Sequence, residues 1–129
     1  MMKIAVVGAH LSGLPLNPQL TGLGATLVGP AYTAPWYRLY ELPNTTPPKP
    51  GLLREPGRIG PGIELEVWQM APEPFATFVD AIPAPLGIGS IELEDGQTVK
   101  GFLVESYAVQ GARDITDFGG WRNFLKSTK

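Results

Sequence analysis

Glycine and proline interrupt this chain so often that no helix or strand in it can be long. The 129 residues include 16 Gly and 14 Pro, which exceeds average usage. Aliphatic runs nevertheless recur between these residues, so the chain is turn-rich and not disordered. We predict a single domain over residues 1–129, built from short elements around one core.

Charge and cysteine content exclude several classes of function. The formal net charge is -2 and the pI is near 5.3, and the basic residues are scattered, so we expect no nucleic-acid partner. Without cysteine there can be no disulfide framework, thiolate metal site or cysteine nucleophile, which fits a reducing compartment. No signal peptide or membrane-length apolar segment is present, so we expect a soluble, cytoplasmic protein with no membrane partner.

Several segments have the patterns of strands. Ile4–Val7 is a continuous aliphatic run that predicts a central strand buried on both faces. In Ile63–Trp68, apolar residues alternate with Glu64, Glu66 and Trp68, which predicts a half-exposed antiparallel strand. Two further strands and a hairpin with a type I′ turn at Asp95-Gly96 follow from the same rules. These segments are Ala25–Val28, Tyr37–Leu42, Ile91–Leu93 and Thr98–Tyr107.

Short helices and one rigid loop complete the predicted architecture. Leu16–Leu23 has helical spacing, with Asn17 as a cap, and Pro72–Ile82 has an amphipathic pattern that covers a sheet. The last helix is predicted at Phe118–Leu125, with Trp121 and Leu125 facing inward. Pro43–Gly51 contains four prolines and is predicted to be a loop outside any ladder. Together these elements predict an α+β fold with a closed or strongly curled sheet.

The loop after the first strand is the leading candidate for a functional site. Its sequence is Gly8-Ala9-His10-Leu11-Ser12-Gly13, and loop amides between a strand and a helix can converge on a carboxylate or similar anion. It is neither a P-loop nor a dinucleotide fingerprint, so a nucleotide cofactor is not expected. An ordinary strand-to-helix turn is the alternative interpretation.

His10 is the only histidine and our candidate catalytic residue, because an imidazole can accept or donate a proton near neutral pH. A lone histidine is often a hydrogen-bonded structural group, so that interpretation stays open. A histidine-rich metal site is impossible. Ser12 can equally cap the following helix, and no Gly-x-Ser-x-Gly motif supports a serine hydrolase.

We assign two other segments to the same predicted site. Lys49, on the proline-rich loop, can neutralise an anion, although a solvated surface lysine is the alternative. Gly87 and Gly89 lie in a turn where small residues let a ligand approach the backbone. Further candidate counter-charges are Arg38, Arg54 and Lys100.

Four strings of residues resemble the carboxyl-terminal domain of allophanate hydrolase. They are AVVGAHLSGLPLN, YRLYELPNTTPPKPGLLR, AIPAPLGIGSIELEDGQTVKGFLVE and DITDFGGWRNFL, in that order and over nearly the whole chain. That domain is similar in fold to the γ-glutamylcyclotransferases, so the resemblance implies a small mixed or antiparallel β-barrel with a few short helices. The cyclotransferases carry Tyr-Gly-Ser after strand one, whereas this chain has Gly8-Ala9-His10, and it has no glutamate between Asp80 and Pro85.

The resemblance implies a role beside an amidase. The Ser-Ser-Lys amidase domain of allophanate hydrolases is absent from these residues, so we expect no allophanate hydrolysis by this chain alone. The implied role is to bind a small carboxylate and promote decarboxylation of the N-carboxycarbamate that the amidase releases, with His10 involved and without a metal or organic cofactor. The alternatives are a non-catalytic partner that docks on a separately encoded amidase or forms a homodimer, through Trp36, Tyr37 or Trp68, and a divergent cyclotransferase.

Overall fold

Short strands divided between two sheets form the framework of the fold. A computed structural model describes residues 1–128, and in this part of the chain eight strands form a five-stranded mixed sheet, β2-β5-β1-β7-β6, and a three-stranded antiparallel sheet, β4-β3-β8. The strands are β1 Met2–Val6, β2 Thr26–Tyr32, β3 Tyr37–Glu41, β4 Pro50–Arg54, β5 Glu64–Met70, β6 Leu86–Glu92, β7 Thr98–Val104 and β8 Arg113–Asp114.

Strand β1 lies at the centre of the larger sheet. It pairs antiparallel with β5 and parallel with β7, and Ile4, Ala5 and Val6 have no exposed surface. A strand covered on both faces explains the unbroken aliphatic run, because no position faces water. The prediction of a central strand and that of an α+β fold with mixed pairing are both confirmed.

The two sheets meet beside the carboxyl end of β1. A Cβ atom on Gly8 would lie 2.3 Å from Cδ of Pro50, and one on Gly51 would lie 2.7 Å from Cβ of Val104. Only glycine permits these close approaches between β4 and its neighbours. The contacts hold the start of β4, and Lys49 just before it, against the loop that follows β1.

Two of the predicted segments have different boundaries in the structure. Pro50 and Gly51 belong to β4, where they pair with Glu41 and Tyr40, so the predicted Pro43–Gly51 loop is two residues too long. Because β4 is an edge strand and Pro50 is its first residue, the missing N–H removes no necessary ladder bond. Similarly, β7 ends at Val104, and Ser106–Val109 form a 3₁₀ turn.

The β6–β7 hairpin is present, but its turn is not of type I′. The N–H of Gly96 donates to the carbonyl of Leu93 at 3.0 Å, and the N–H of Leu93 donates to the carbonyl of Gln97 at 2.8 Å. Gly96 has φ +89°, whereas Asp95 keeps a negative φ. A type I′ turn needs positive φ at both central residues, so this is a type I turn followed by a glycine bulge.

The prediction that β5 is half-exposed is wrong. Residues 65–68 are all buried, including the carboxylate-bearing Glu66. Consecutive side chains of a strand point to opposite faces of the sheet, so the burial of four consecutive residues shows that both faces of β5 are covered. Alternation of polar and apolar residues failed as a signal here because Glu66 is buried with hydrogen-bonding partners from distant parts of the chain.

The helices lie where they were predicted but are shorter. They are α1 Pro18–Thr21, α2 Pro72–Asp80 and α3 Trp121–Ser127. The third begins late because Gly119 has φ +80° and ends a preceding 3₁₀ turn, Thr116–Phe118. Trp121 and Phe124 are its buried residues, whereas Leu125, predicted to face inward, is half-buried. In residues 1–128, no helix is long and apolar enough to cross a membrane.

Candidate functional site

The loop after β1 is held by its own backbone and by the residue before α1. The N–H of Leu11 donates to the carbonyl of Gly8 at 3.0 Å, and the N–H of Leu16 donates to the carbonyl of Ala9 at 2.8 Å. Asn17 donates from Nδ2 to the carbonyl of His10 at 2.8 Å, so its side chain fixes the loop and does not cap the helix. These bonds give the His10 backbone one defined position.

Aromatic rings and an amide fix the imidazole of His10. It stacks on Phe102, with ring centroids 5.0 Å apart and planes 17° apart, and it meets Phe78 in a T-shaped contact at 5.2 Å. Nε2 lies 2.8 Å from Oε1 of Gln19. Because an amide oxygen only accepts, Nε2 carries the hydrogen, and Nδ1 is the nitrogen that can exchange a proton with a ligand.

The pKa of His10 lies below its ordinary value of 6.5. Burial of the ring lowers the pKa because it disfavours the imidazolium form. The hydrogen bond to Gln19 raises it part of the way back, and the positive charge of Lys49 lowers it again. His10 is therefore mainly neutral at pH 7, and an anion bound nearby would shift it toward the protonated form.

Two cavities open on this imidazole. The first is a recess of about 20 Å³, room for about one water-sized group, and the second is a cleft of about 480 Å³ between α1 and α2. His10, Lys49, Leu86 and Phe102 form a wall common to both. Gly8 and Ala9 line the recess but not the cleft.

Lys49 carries the only formal charge among the residues that line the two cavities, all of which belong to the described part of the chain. Its backbone is held on both sides, since its N–H donates to Oγ1 of Thr45 at 3.0 Å and its carbonyl accepts from the N–H of Leu42 at 3.1 Å. Between residues 1 and 128 no group of three or more His, Asp or Glu side chains could hold a metal ion. One cation, a neutral imidazole and apolar walls suit a small anion.

The structure brings together some of the predicted site residues and separates others. Gly8, Ala9, His10 and Lys49 lie around the recess. The predicted amides of Leu11 and Ser12 are already used, because they donate to the carbonyl of Gly8 and to Glu66. Five of the predicted site residues line neither cavity: Leu11, Ser12, Gly13, Gly87 and Gly89.

Ser12 belongs to a buried polar network behind the loop. Its N–H and hydroxyl both donate to Oε1 of Glu66, at 2.8 and 3.0 Å, and Nε1 of Trp68 donates to the same oxygen at 3.2 Å. Arg122 donates to the Ser12 carbonyl at 2.7 Å and to Oε2 of Glu66 at 3.2 Å. This network ties the His10 loop to β5 and α3.

The predicted glycine turn is part of β6. Gly87 and Gly89 are strand residues paired with Leu103 and Gly101. A Cβ atom on Gly89 would lie 2.6 Å from Cδ1 of Leu103, which is the end of a flexible side chain. Leu86, the residue before this pair, is the one that reaches the cavities.

The other candidate counter-charges are engaged away from the cavities. Arg38 forms ion pairs with Glu55 and Asp114, Arg54 donates to the hydroxyl of Tyr37, and Lys100 donates to Ser90. The proposed docking aromatics do not form an exposed patch. Tyr37 and Trp68 are buried and Trp36 packs against the core.

Replacing Gln19 should move the pKa of His10 in a direction set by the new side chain. We expect Gln19→Leu to lower it, because the hydrogen bond that raises the pKa is lost, and Gln19→Glu to raise it, because a carboxylate favours the imidazolium. NMR titration of the single imidazole measures the pKa without signal overlap. Thr21→Val, at an exposed position in the same helix, is the control, and identical titrations for all variants would contradict the assigned contact.

The arrangement of sheets and helices first defines the class of fold. An AIG2-like protein from Mus musculus superposes with a TM-score of 0.63 and 20% identity, covering 84% of this chain and 78% of that one. At this identity the superposition shows the fold alone, which is the γ-glutamylcyclotransferase-like α+β fold. The particular family follows from sequence: the allophanate hydrolase C-terminal domain family matches residues 2–126, and the chain belongs to it.

Close relatives include much longer proteins. Urea amidolyase from Lachancea kluyveri is 47% identical over 131 residues, which cover 99% of this chain and 7% of that protein. Kluyveromyces lactis allophanate hydrolase has a TM-score of 0.94 at 44% identity, covering 99% and 21%. In contrast, c4763, a uropathogenic E. coli-specific protein, is matched over 97% of this chain and 95% of its own, with 34% identity and a TM-score of 0.88.

Proposed function

We propose that this chain is an accessory module of allophanate or urea-derivative degradation that binds a small carboxylate and promotes decarboxylation of N-carboxycarbamate. The observation that carries the proposal is the His10–Lys49 wall, which joins a proton-exchanging imidazole and a cation at one recess. Family membership supports this pathway, because the relatives described above include a urea amidolyase and an allophanate hydrolase. The amidase that releases the substrate would be on a separate chain or on another part of a longer protein.

The chemistry requires one bond to break and one proton to be delivered. The C–N bond to one carboxylate breaks, its electron pair stays on nitrogen, carbon dioxide leaves, and the nitrogen takes a proton to give carbamate. Lys49 holds the retained carboxylate. The rings of Phe78 and Phe102 keep water from the carboxylate that leaves, which weakens its solvation. His10, protonated when the dianion binds, donates from Nδ1.

Replacing His10 should remove the acceleration of N-carboxycarbamate decarboxylation. We expect His10→Ala to lower the decarboxylation rate to the uncatalysed rate, a loss of about a hundredfold, because a positioned proton donor contributes at least that factor. N-carboxycarbamate is generated in place by an added amidase that lacks this domain, and carbon dioxide release is followed with and without the chain. Equal rates for wild type, variant and buffer would eliminate the catalytic proposal.

Two matched variants separate proton transfer from binding. His10→Gln keeps a polar side chain of similar reach but cannot exchange a proton, and it should be as inactive as His10→Ala. Lys49→Met keeps the length of the side chain and removes its charge, so it should weaken binding and raise KM more than it lowers kcat. Circular dichroism checks that each variant is folded.

Assembly is a second candidate function, and the edge strand β2 is the observation that favours it. Leu27, Val28 and Tyr32 on this strand are 47%, 49% and 44% exposed, and β2 has a partner on one side only. The end of the strand is bonded on its other side as well, because the N–H of Glu94 donates to the carbonyl of Tyr32 at 3.0 Å and Thr33 forms a bridge with Leu93. The open edge is therefore the earlier part of β2, where exposed apolar side chains favour pairing with another chain, such as an amidase or a second copy. Analytical ultracentrifugation of wild type and Val28→Lys tests self-association.

Cyclotransferase activity has no comparable support, because no carboxyl group lines either cavity.

A further inference from the structure

The larger cleft is much bigger than N-carboxycarbamate requires. Its volume of about 480 Å³ falls within the range of about 300–1,000 Å³ that is typical of sites for drug-sized ligands. The small dianion would occupy the common wall with His10 and Lys49 and leave most of the cleft empty. The residues beyond that wall therefore indicate what else a ligand could carry.

Most of the residues that line the cleft are apolar. We call six of them the apolar lobe, and they come from the segments flanking α1, from α2 and from the residues that follow α2. Leu16, Leu23 and Ile82 are half-buried there, so each keeps apolar surface that a ligand could cover. The apolar lobe is formed by Leu16, Leu23, Phe78, Ala81, Ile82 and Pro83.

The lining of the cleft also includes polar groups. Beside His10 and Lys49, they are Gln19, Thr46 and Thr77, and none of these carries a charge. A ligand that fits both parts has an anionic end and an uncharged, apolar end. A ligand with a second charge at the far end would lose hydration without gaining a partner.

From the single cation and the many apolar residues of this lining, we infer that the cleft binds carboxylates bearing an apolar substituent. The carboxylate lies at His10 and Lys49, and the substituent lies in the apolar lobe. The inference rests on the proposed carboxylate site and extends its ligand class from a small dianion to substituted analogues. Covering a methylene with apolar surface increases affinity by up to about fourfold. Ile82 and Leu23 are thereby specificity-determining residues.

A series of substituted malonates tests the inference by calorimetry. Malonate, ethylmalonate, butylmalonate and benzylmalonate share the same anionic end and differ only in the substituent. We expect Kd to fall about two- to fourfold for each added methylene, so that butylmalonate binds at least about tenfold more tightly than malonate. Equal Kd values along the series would overturn the apolar lobe and leave the carboxylate site intact. No heat with any member would overturn the carboxylate site as well.

Variants within the lobe locate the effect. Ile82→Thr should weaken butylmalonate about threefold and leave the Kd of malonate unchanged, because only the substituent reaches it. Val28→Thr, an equivalent change on the exposed edge strand outside the cleft, is the control and should change neither value. If Ile82→Thr does not fold, Leu23→Gln is measured in its place with the same expectation. A butylmalonate Kd that is unchanged in the folded lobe variant would contradict the inference.

Discussion

Glu66→Leu is expected to destabilise the protein by about 3–5 kcal/mol, although Glu66 lies outside both cavities. The substitution removes the acceptor used by the Ser12 N–H, the Ser12 hydroxyl and the Trp68 indole, and it leaves Arg122 without its carboxylate. Each buried donor left without a partner costs about 1–3 kcal/mol, and the loss of the half-buried ion pair with Arg122 adds to this cost. Chemical denaturation with wild type and variant measures the difference.

The network also makes stability depend on pH. Burial raises the pKa of Glu66, but hydrogen bonds from Ser12 and Trp68 and the charge of Arg122 outweigh it, so the pKa lies below its ordinary value of 4.5. A lowered folded-state pKa stabilises the fold above the unfolded value, and that contribution disappears as pH falls through the folded value. Glu66→Gln should therefore cost stability at pH 7 and approach wild type under acid conditions. Glu94→Leu, at an exposed position, is the control and should change stability by less than about 0.5 kcal/mol.

Phe102→Ala is expected to lower stability by about 3–5 kcal/mol and to raise the pKa of His10. Phe102 is 6% exposed and contacts both His10 and Phe78, so its removal leaves a cavity in the wall common to recess and cleft. Water can then reach the imidazole, and the desolvation that lowers its pKa is reduced. Thermal unfolding measures the first effect and NMR titration of the single histidine measures the second.

Two comparisons separate packing from the effect on the site. Phe102→Leu keeps most of the apolar volume and should cost about 1.5 kcal/mol or less, with a smaller rise in the pKa of His10. Tyr107→Ala removes a ring that is 60% exposed and should leave both quantities unchanged. Loss of stability with an unaltered titration of His10 would show that Phe102 supports the core but does not shield the imidazole.

Local patterns predicted the fold where one segment determined its own structure. The aliphatic run at Ile4–Val7 and the helical spacing around Phe75 and Phe78 gave elements close to those observed. The failures arose where distant segments decide. Pro50 begins a strand only because β3 offers a partner for it, and Glu66 is buried only because Ser12, Trp68 and Arg122 surround its carboxylate.

The same contrast between local patterns and distant segments applies to the candidate site. The loop after β1 marked His10, and Lys49 lines the same recess, whereas the predicted amides of Leu11 and Ser12 bond elsewhere. No sequence signal connected Gln19, Phe78 or Phe102 with His10, because they come from three separate elements. The amphipathic pattern of Pro72–Ile82 indicated only that Phe78 faces the sheet, and tertiary packing decides which ring meets the imidazole.

The charges around the cavities bear on how products would leave. In the described part of the chain, Lys49 is the single formal charge among the residues that line the two cavities. Its positive charge would repel ammonium, and no carboxylate is present on the lining to bind that ion. In the proposed reaction, nitrogen released as ammonium would therefore not compete for the site, and product inhibition would be confined to anions such as carbamate and bicarbonate.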